Sequence, residues 1–129
     1  MIVDSLAVIA VLRREPDALR FAVALASKQD LKMSAATYVE AGIVADNDCD
    51  PVMSRLLDTV IRDTGIKIFP IDEGQARIAR EAYRDFGKGS GHPAQFNFGD
   101  CFAYALAKAT GEPLLFKGTD FSQTDVASA

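Results

Sequence analysis

Residues 97–121 read NFGDCFAYALAKATGEPLLFKGTDF, and this stretch combines a helix, a strand and two acids at their junctions. Its first part is an apolar run with helical spacing that opens at Asp100. The short run PLLF predicts a buried strand, and Asp120 follows it almost at once. A helix that leads into a short buried strand is typical of α/β proteins with a parallel sheet. Ligands bind beyond the carboxyl ends of such strands, where we expect Asp120 to lie.

The chain before this stretch shows the same alternation of strands and helices. MIV predicts a first strand that ends at Asp4, and SLAVIAVL predicts a helix with Ser5 as its cap. Further strands are predicted at LKMS and at IKIFPI, where Pro70 interrupts the second of them. Apolar residues at helical spacing predict three further helices. They are Leu19, Val23 and Ala26 in the second helix, Val39 and Ile43 in the third, and Val52, Leu56 and Val60 in the fourth.

Local signals mark the ends of the later helices. Asp50 and Pro51 predict the start of the fourth helix, and Gly65 predicts its end. Asp72 predicts the cap of the fifth helix, which the glycines after Phe86 end. These elements together predict an α/β sandwich with a mainly parallel sheet, in which helices outnumber strands.

The composition is that of one ordinary globular domain, which we place at residues 1–129. Hydrophobic residues make up 49% and charged residues 25%, and no apolar run approaches the roughly 20 residues of a membrane span. The apolar N-terminus contains Asp4 and has no basic region before it, so we interpret it as folded structure. Cys49 and Cys101 form no metal-binding or redox motif. We therefore expect a soluble, reduced, cytoplasmic protein.

Four acids stand where the predicted topology can bring them together: Asp4 after the first strand, Glu40 in the third helix, Asp100 at the start of the sixth and Asp120 after the last strand. Like charges this close in a cleft raise one another's pKa, and a divalent cation resolves that conflict. Oxygen-only ligands favour Mg²⁺ or Mn²⁺. Such ions promote hydrolysis of phosphodiesters, and they allow a chain of net charge −4 to bind a polyanion.

Other motifs carry less weight. The fifth helix has the basic residues Arg77, Arg80, Arg84 and Lys88 at helical spacing, and Lys117 precedes Asp120. They could follow an RNA backbone, although a solvated face explains the basic residues of the helix better. His92 lacks a catalytic partner and fits a loop-packing role, and GKGSG is not a P-loop. The aromatic residues at helical spacing are predicted to be mostly core, and they are Tyr38, Tyr83, Phe86, Phe98, Phe102 and Tyr104.

A family resemblance covers nearly the whole chain. The segments MIVDSLAVIAVL, MSAATYVEAGIV and GKGSGHPAQFNFGDCFAYALAKATGEPLLFKGTDF closely resemble the PIN-domain ribonucleases, specifically the VapC-type toxins of bacterial toxin–antitoxin pairs. The resemblance implies a three-layer α/β/α sandwich, a metal-dependent endoribonuclease that uses Mg²⁺ or Mn²⁺, and a small antitoxin that covers the site. A homodimer is a further expectation from the family, with Val52, Met53 and Leu56 as its first candidate contacts.

Matched position by position, the four acids fall on the family's acidic quartet. The resemblance implies supporting roles for Ser5, Thr119 and Asn97, of which Asn97 would shape the loop before Asp100. Leu6 departs from the small residue that the family often carries there. Asp125 also matches the pattern, and we assign it a structural role. We expect Asp4 and Asp100 as direct metal ligands.

Two alternatives from other classes stay open at the level of sequence. A receiver-like phosphorelay module would use Asp4, Asp72 and Lys117 after successive strands, although two helices separate the first two strands. A catalytically silent domain would bind RNA or the antitoxin without cutting RNA. The identity of the RNA is open, because RNA recognition depends on loops and shape.

Overall fold

The computed structural model describes residues 1–27, 30–47 and 49–129, and within these ranges six helices surround a four-stranded sheet. The strands are β1 (Ile2–Val3), β2 (Lys32–Ser34), β3 (Lys67–Phe69) and β4 (Leu114–Leu115). The helices are α1 (Ser5–Leu12), α2 (Ala18–Ser27), α3 (Ala35–Asp46), α4 (Pro51–Thr64), α5 (Glu73–Phe86) and α6 (Phe98–Thr110). None of the described helices is both long and apolar enough to span a bilayer.

All paired strands run parallel, in the order β3-β2-β1-β4. Ile2 lies opposite Lys32 on one side and Leu114 on the other, so the carboxyl ends of the two central strands and of β4 meet at one edge. This edge is where Asp4 leaves β1. The predicted mainly parallel sheet is therefore confirmed.

The sheet separates two apolar cores, as a three-layer α/β/α sandwich requires. Val3 and Met33 belong to a core with residues of α1, α2, α3 and α4. Ile2 and Leu114 belong to a second core with residues of α5 and α6. Neighbouring residues of β1 serve opposite cores because side chains alternate across a strand.

The helix ends follow the local signals except at the starts of α1 and α6. Helix α6 begins at Phe98, two residues before the predicted start at Asp100, because Asn97 caps it. Asp50 caps α4 ahead of Pro51, Gly65 ends it with φ of 70°, and Asp72 caps α5 by accepting a bond from the Gln75 N–H. The prediction that Ser5 caps α1 is wrong, because the Asp4 carboxylate accepts the Leu6 N–H (3.1 Å) and Ser5 is the first helical residue.

Several apolar residues that the sequence groups into stripes face outward. Leu19 and Val23 of α2 are exposed, whereas Phe21 and Leu25 fill the core. Val39 and Ile43 of α3 are each 56% exposed. The prediction that the aromatic residues are mostly core holds fully only for Tyr104. It is wrong for Tyr83 and Phe98, which are exposed, while Tyr38, Phe86 and Phe102 are half-buried.

Asp125 has a structural role, as the sequence predicts. Its carboxylate accepts hydrogen bonds from the Tyr104 hydroxyl (2.6 Å) and the Lys108 ammonium (2.8 Å), which fixes the last residues against α6. Beyond it, the backbone of residues 127–129 bonds to Leu114 at the edge of the sheet. Asp125 is thus engaged with α6 and the chain end.

Candidate metal centre

Asp4 is the buried acid of the site. The end of β1 places it at the carboxyl edge of the sheet, and it is only 2% exposed. One carboxylate oxygen caps α1 through the Leu6 N–H, which favours the ionised form. Its position at the junction of a buried strand and a buried helix is the reason it cannot reach bulk water.

Glu40 enters from the second turn of α3. Its Oε2 accepts a hydrogen bond from the Ser5 hydroxyl (2.8 Å), so the residue after Asp4 holds the second acid. The carboxylate also lies against Gly99, where a Cβ would stand 2.2 Å from Oε1. Only glycine leaves room for this approach. Sequence reasoning missed Gly99, although a glycine inside the first turn of a helix was a usable signal.

Asp100 is held by the start of α6. Asn97 caps this helix through a reciprocal pair of bonds: its side chain accepts the Asp100 N–H (2.9 Å), and Asp100 Oδ2 accepts the Asn97 N–H (2.7 Å). This capping box satisfies two helix N–H groups and fixes the carboxylate in one orientation. One oxygen of Asp100 is therefore engaged, while Asp100 Oδ1 makes no hydrogen bond within the part of the chain that the structure describes.

Asp120 and Thr119 lie in the exposed turn that follows β4, ahead of a short 3-10 turn at Phe121–Gln123. The Thr119 carbonyl accepts a bond from the Ser122 hydroxyl (2.5 Å), which closes the turn. Asp120 is the most solvated of the four acids. Its charge raises the pKa of Asp100.

The charges of the four acids act on one another in pairs. Burial raises the pKa of Asp4 to about 7; the Leu6 N–H opposes this rise, and the charges of Asp100 and Glu40 add to it. Burial likewise raises the pKa of Asp100 to about 6, with the Asn97 N–H opposing and the charges of Asp120 and Glu40 adding. Each acid thus acts on at least one other, as expected for carboxylates that share a cleft.

The donor set fits a hard divalent cation. Carboxylate and hydroxyl oxygens make up the site, and the excess negative charge around Asp4 calls for a positive partner. Within residues 1–27, 30–47 and 49–129, no group of three or more His, Cys, Asp or Glu side chains is arranged so that it could hold a metal ion. Asp120 is exposed and would turn toward a bound ion, whereas the Glu40 carboxylate would have to leave its contacts with Ser5 and Gly99 to do so.

The basic residues behave differently from one another. Lys117 is held by ion pairs to Glu15 and Asp17 (3.0 Å to the latter), so the prediction that it binds RNA is not supported by its contacts. Arg84 pairs with Asp85 (2.7 Å). Lys88 forms no ion pair with the described residues, and its charge lowers the pKa of Asp100. Lys88 is therefore a positive charge that acts on the acidic site.

An apolar groove of about 580 Å³ runs beside the acids, between α3 and α6. Glu40, Asn97 and Gly99 form its border with the acidic site. Its apolar walls are Ala36, Val39, Ile43, Val44, Phe98 and Phe102. The exposed stripe of α3 therefore belongs to this groove and not to the core.

The remaining candidates have structural roles. His92 packs edge-on against Phe86 (4.9 Å between ring centroids), and its Nδ1 accepts the Ala94 N–H (3.2 Å), as the loop-packing interpretation predicts. Asp72 caps α5 from an exposed position, and Lys117 is engaged by two acids. The receiver-like alternative thus lacks the residues it would need.

The sequence and the fold match a known family. The family model described as PIN domain covers residues 1–127, and the chain belongs to that family. Within it, ribonuclease VapC28 of Mycobacterium tuberculosis is 55% identical over 129 residues, covering 100% of this chain and 97% of that protein, so the chain is one of the VapC ribonucleases.

Solved structures agree on the fold. The crystal structure of VapC20 of Mycobacterium tuberculosis, described as a sarcin-ricin loop cleaving toxin, superposes with a TM-score of 0.77 at 16% identity, covering 99% of this chain and 97% of that chain. A toxin-antitoxin complex from Klebsiella pneumoniae gives 0.70 at 15%, covering 99% and 95%. At these identities the likeness establishes the fold alone.

Proposed function

We propose that the protein is a metal-dependent endoribonuclease that hydrolyses RNA phosphodiester bonds at the acidic cluster. The observation that carries this proposal is that burial raises the pKa of Asp4 to about 7 and of Asp100 to about 6, and that the charges of Glu40 and of neighbouring Asp residues add to both rises. Carboxylates held together against their repulsion require a cation partner. The ribonuclease activity named for the VapC relatives supports RNA as the substrate.

Asp4 and Asp100 are the direct ligands for Mg²⁺ or Mn²⁺ in this proposal, with Glu40 as a ligand or as the base that orients water. Asp120 completes the site from its exposed turn. A bound cation would neutralise the phosphate and make a water molecule more acidic. The protein itself orients the acids: Ser5 holds Glu40 (2.8 Å), Asn97 holds Asp100 (2.7 Å), and Lys88 adds a positive charge for the phosphate.

We further propose that the protein acts as a cytoplasmic toxin that a small cognate antitoxin neutralises. Support comes from the solved toxin-antitoxin complex of the same fold and from the 580 Å³ apolar groove that borders Glu40 and Asn97. An antitoxin segment in that groove would bury Val39 and Ile43 and would cover the acids. This placement would explain why the outer stripe of α3 is apolar in a chain whose core lies on the other side.

The test is RNA cleavage with Mg²⁺ or Mn²⁺ and with EDTA, for the wild type and for Asp100→Asn. Asparagine keeps an oxygen for the Asn97 N–H, so α6 still starts correctly while one ligand charge is lost. We expect cleavage to fall by about a hundredfold or more. Asp58→Asn, an exposed acid of α4, is the control and should cut like the wild type.

Two results would contradict the proposal. Undiminished cleavage by Asp100→Asn would remove the assigned site. RNA binding without cleavage by the wild type, in either metal, would instead support the catalytically silent alternative. Mapping the RNA ends made by the wild type would identify the target.

A further inference from the structure

Phe98 is a solvent-exposed aromatic residue next to the acidic site. It is the first residue of α6 and stands two residues before Asp100. Its ring is 76% exposed and contacts Phe102 edge to face, with 4.8 Å between centroids. A ring left this exposed forgoes most of the free energy that burial would give. Folding of the chain alone therefore does not account for it.

The ring separates two cavities. On one side is the α3–α6 groove described above. On the other is a pocket of about 220 Å³ between α5 and α6, which Phe98 shares with Tyr83 and Arg80. Tyr83 is itself 47% exposed. The pocket thus offers two accessible aromatic side chains and a guanidinium, and it is also lined by Cys101, the residue after Asp100.

The charges of α5 single out Arg80. Arg77 is neutralised by Glu73 (2.5 Å) and Arg84 by Asp85 (2.7 Å). Arg80 has no ion pair with any residue in the described ranges, and it lines the pocket beside Phe98. A free guanidinium next to an exposed ring is suited to a ligand that is both flat and anionic.

We propose that Phe98 is a stacking platform for the nucleobase next to the cleaved phosphodiester, and that Arg80 binds the neighbouring phosphate. This inference rests on the proposed ribonuclease function. Single-stranded RNA is commonly bound by stacking its bases on aromatic rings while cations follow its backbone. An apolar protein segment would use the ring but would leave Arg80 without an anion, so RNA fits the pocket better.

The experiment uses an RNA oligonucleotide that the wild type cuts at one site, and two versions with an abasic nucleotide on the 5′ or the 3′ side of the cut. kcat and KM are measured for the wild type, Phe98→Ala, Phe98→Trp and Leu19→Ala. Leu19 on α2 is a matched control, because it is also 76% exposed but lies outside the site and its pockets. Thermal melting confirms that each variant is folded.

We expect Phe98→Ala to lower kcat/KM by about 5- to 150-fold, mainly through KM. Phe98→Trp keeps an aromatic ring for stacking and should restore most of that loss, and Leu19→Ala should cut like the wild type. For one of the two abasic substrates, kcat/KM of the wild type should fall by a similar factor. With Phe98→Ala the same missing base should cause no further fall, since both changes remove the same contact.

Wild-type kinetics for Phe98→Ala would overturn the inference, and this is the result expected if the ring contacts only a protein partner. The inference would also be overturned if, for both abasic substrates, the loss of kcat/KM caused by Phe98→Ala multiplied the loss caused by the missing base. If the wild type cuts no RNA in Mg²⁺ or Mn²⁺, the ribonuclease proposal fails and takes this inference with it. If the wild type cuts but Phe98→Ala is unaffected, this inference alone fails.

Discussion

Asp4 combines two roles that oppose each other at the scale of a single residue. As the cap of α1 it stabilises the fold through the Leu6 N–H, but its burial beside Asp100 and Glu40 penalises its charge. A metal-free molecule therefore carries this penalty whenever Asp4 is ionised. A bound cation removes it, so metal affinity and stability are linked at this residue.

The first prediction concerns pH and the metal-free protein. Below pH 4 Asp4 is protonated in both the folded and the unfolded states, and the penalty is absent. Between pH 4 and the folded pKa of about 7, the unfolded state ionises first, so the free energy of unfolding falls as pH rises. Asp4→Asn should therefore stabilise the EDTA-treated protein at pH 8, by up to about 4 kcal/mol, and have little effect near pH 4. Thermal melting across pH measures this.

Asp72→Asn is the matched control for that prediction, because Asp72 caps α5 in the same manner from an exposed position. It should give no stabilisation at pH 8. Mg²⁺ should raise the melting temperature of the wild type at pH 8 but not that of Asp4→Asn. Destabilisation of the metal-free protein at pH 8 by Asp4→Asn would show that the cap outweighs the buried charge.

Asp4, Asp100 and Asp120 could be predicted from sequence because each stands beside a recognisable strand or helix end, whereas Glu40 lies inside α3. Lys117 could not be assigned in this way, since its partner Glu15 lies 102 residues away and nothing local indicates the ion pair. The role of Gly99 could not be predicted for a similar reason. Its importance comes from the Glu40 carboxylate of another helix, and a long-range contact of this kind leaves no mark on the spacing of residues near position 99.

At the scale of elements, α3 and α6 are set against each other so that an acid of one helix meets the backbone of the other. The Glu40 carboxylate lies where the side chain of any residue but glycine would begin at position 99. The capping box of Asn97 and Asp100 fixes this end of α6, so the helix cannot easily move away from Glu40. If a larger residue replaces Gly99, the Glu40 side chain is therefore the group that must move.

We predict that Gly99→Ala displaces Glu40 and lowers RNA cleavage by roughly tenfold or more, because small misplacements of reacting groups are costly. Stability should be unchanged or slightly raised, since alanine favours a helix and the carboxylate can swing aside. Cleavage rates and thermal melting are measured together. Gly42→Ala is the control, because a Cβ at Gly42 meets nothing within 4 Å. Full activity of Gly99→Ala would show that the position of Glu40 is not critical.

Helix ends were predicted better than helix faces, and the reason is physical. Caps such as Asp50 and Gly65 act over a few residues, so the sequence around them is sufficient. The stripe of Val39 and Ile43 has the spacing of a core face, yet α3 buries Thr37, Ala41 and Ala45 instead. Periodicity reports an apolar face, but it cannot distinguish the core of one chain from a surface that a partner covers.

At the scale of the whole molecule, exposed apolar residues are distributed over several helices. Val39 and Ile43 line the groove near the acids, and Leu19 lies apart from it on α2. Val52 and Leu56 form a further stripe on α4, at 47% and 40% exposed, above Met53, which packs against the core. Because α4 lines neither the groove nor the pocket beside Phe98, a homodimer through α4 would leave the acids accessible to RNA.

We predict that Leu56→Glu converts a homodimer into monomers, because a carboxylate buried without a partner in an apolar contact costs at least about 2 kcal/mol. That cost corresponds to roughly a 30-fold increase in the dimer Kd. Light scattering after gel filtration, over a range of concentrations, measures the mass. Leu19→Glu is the matched control and should remain dimeric, with wild-type cleavage in both variants. A monomeric wild type would contradict the homodimer itself, and dissociation by Leu19→Glu alone would place the interface on α2 and not on α4.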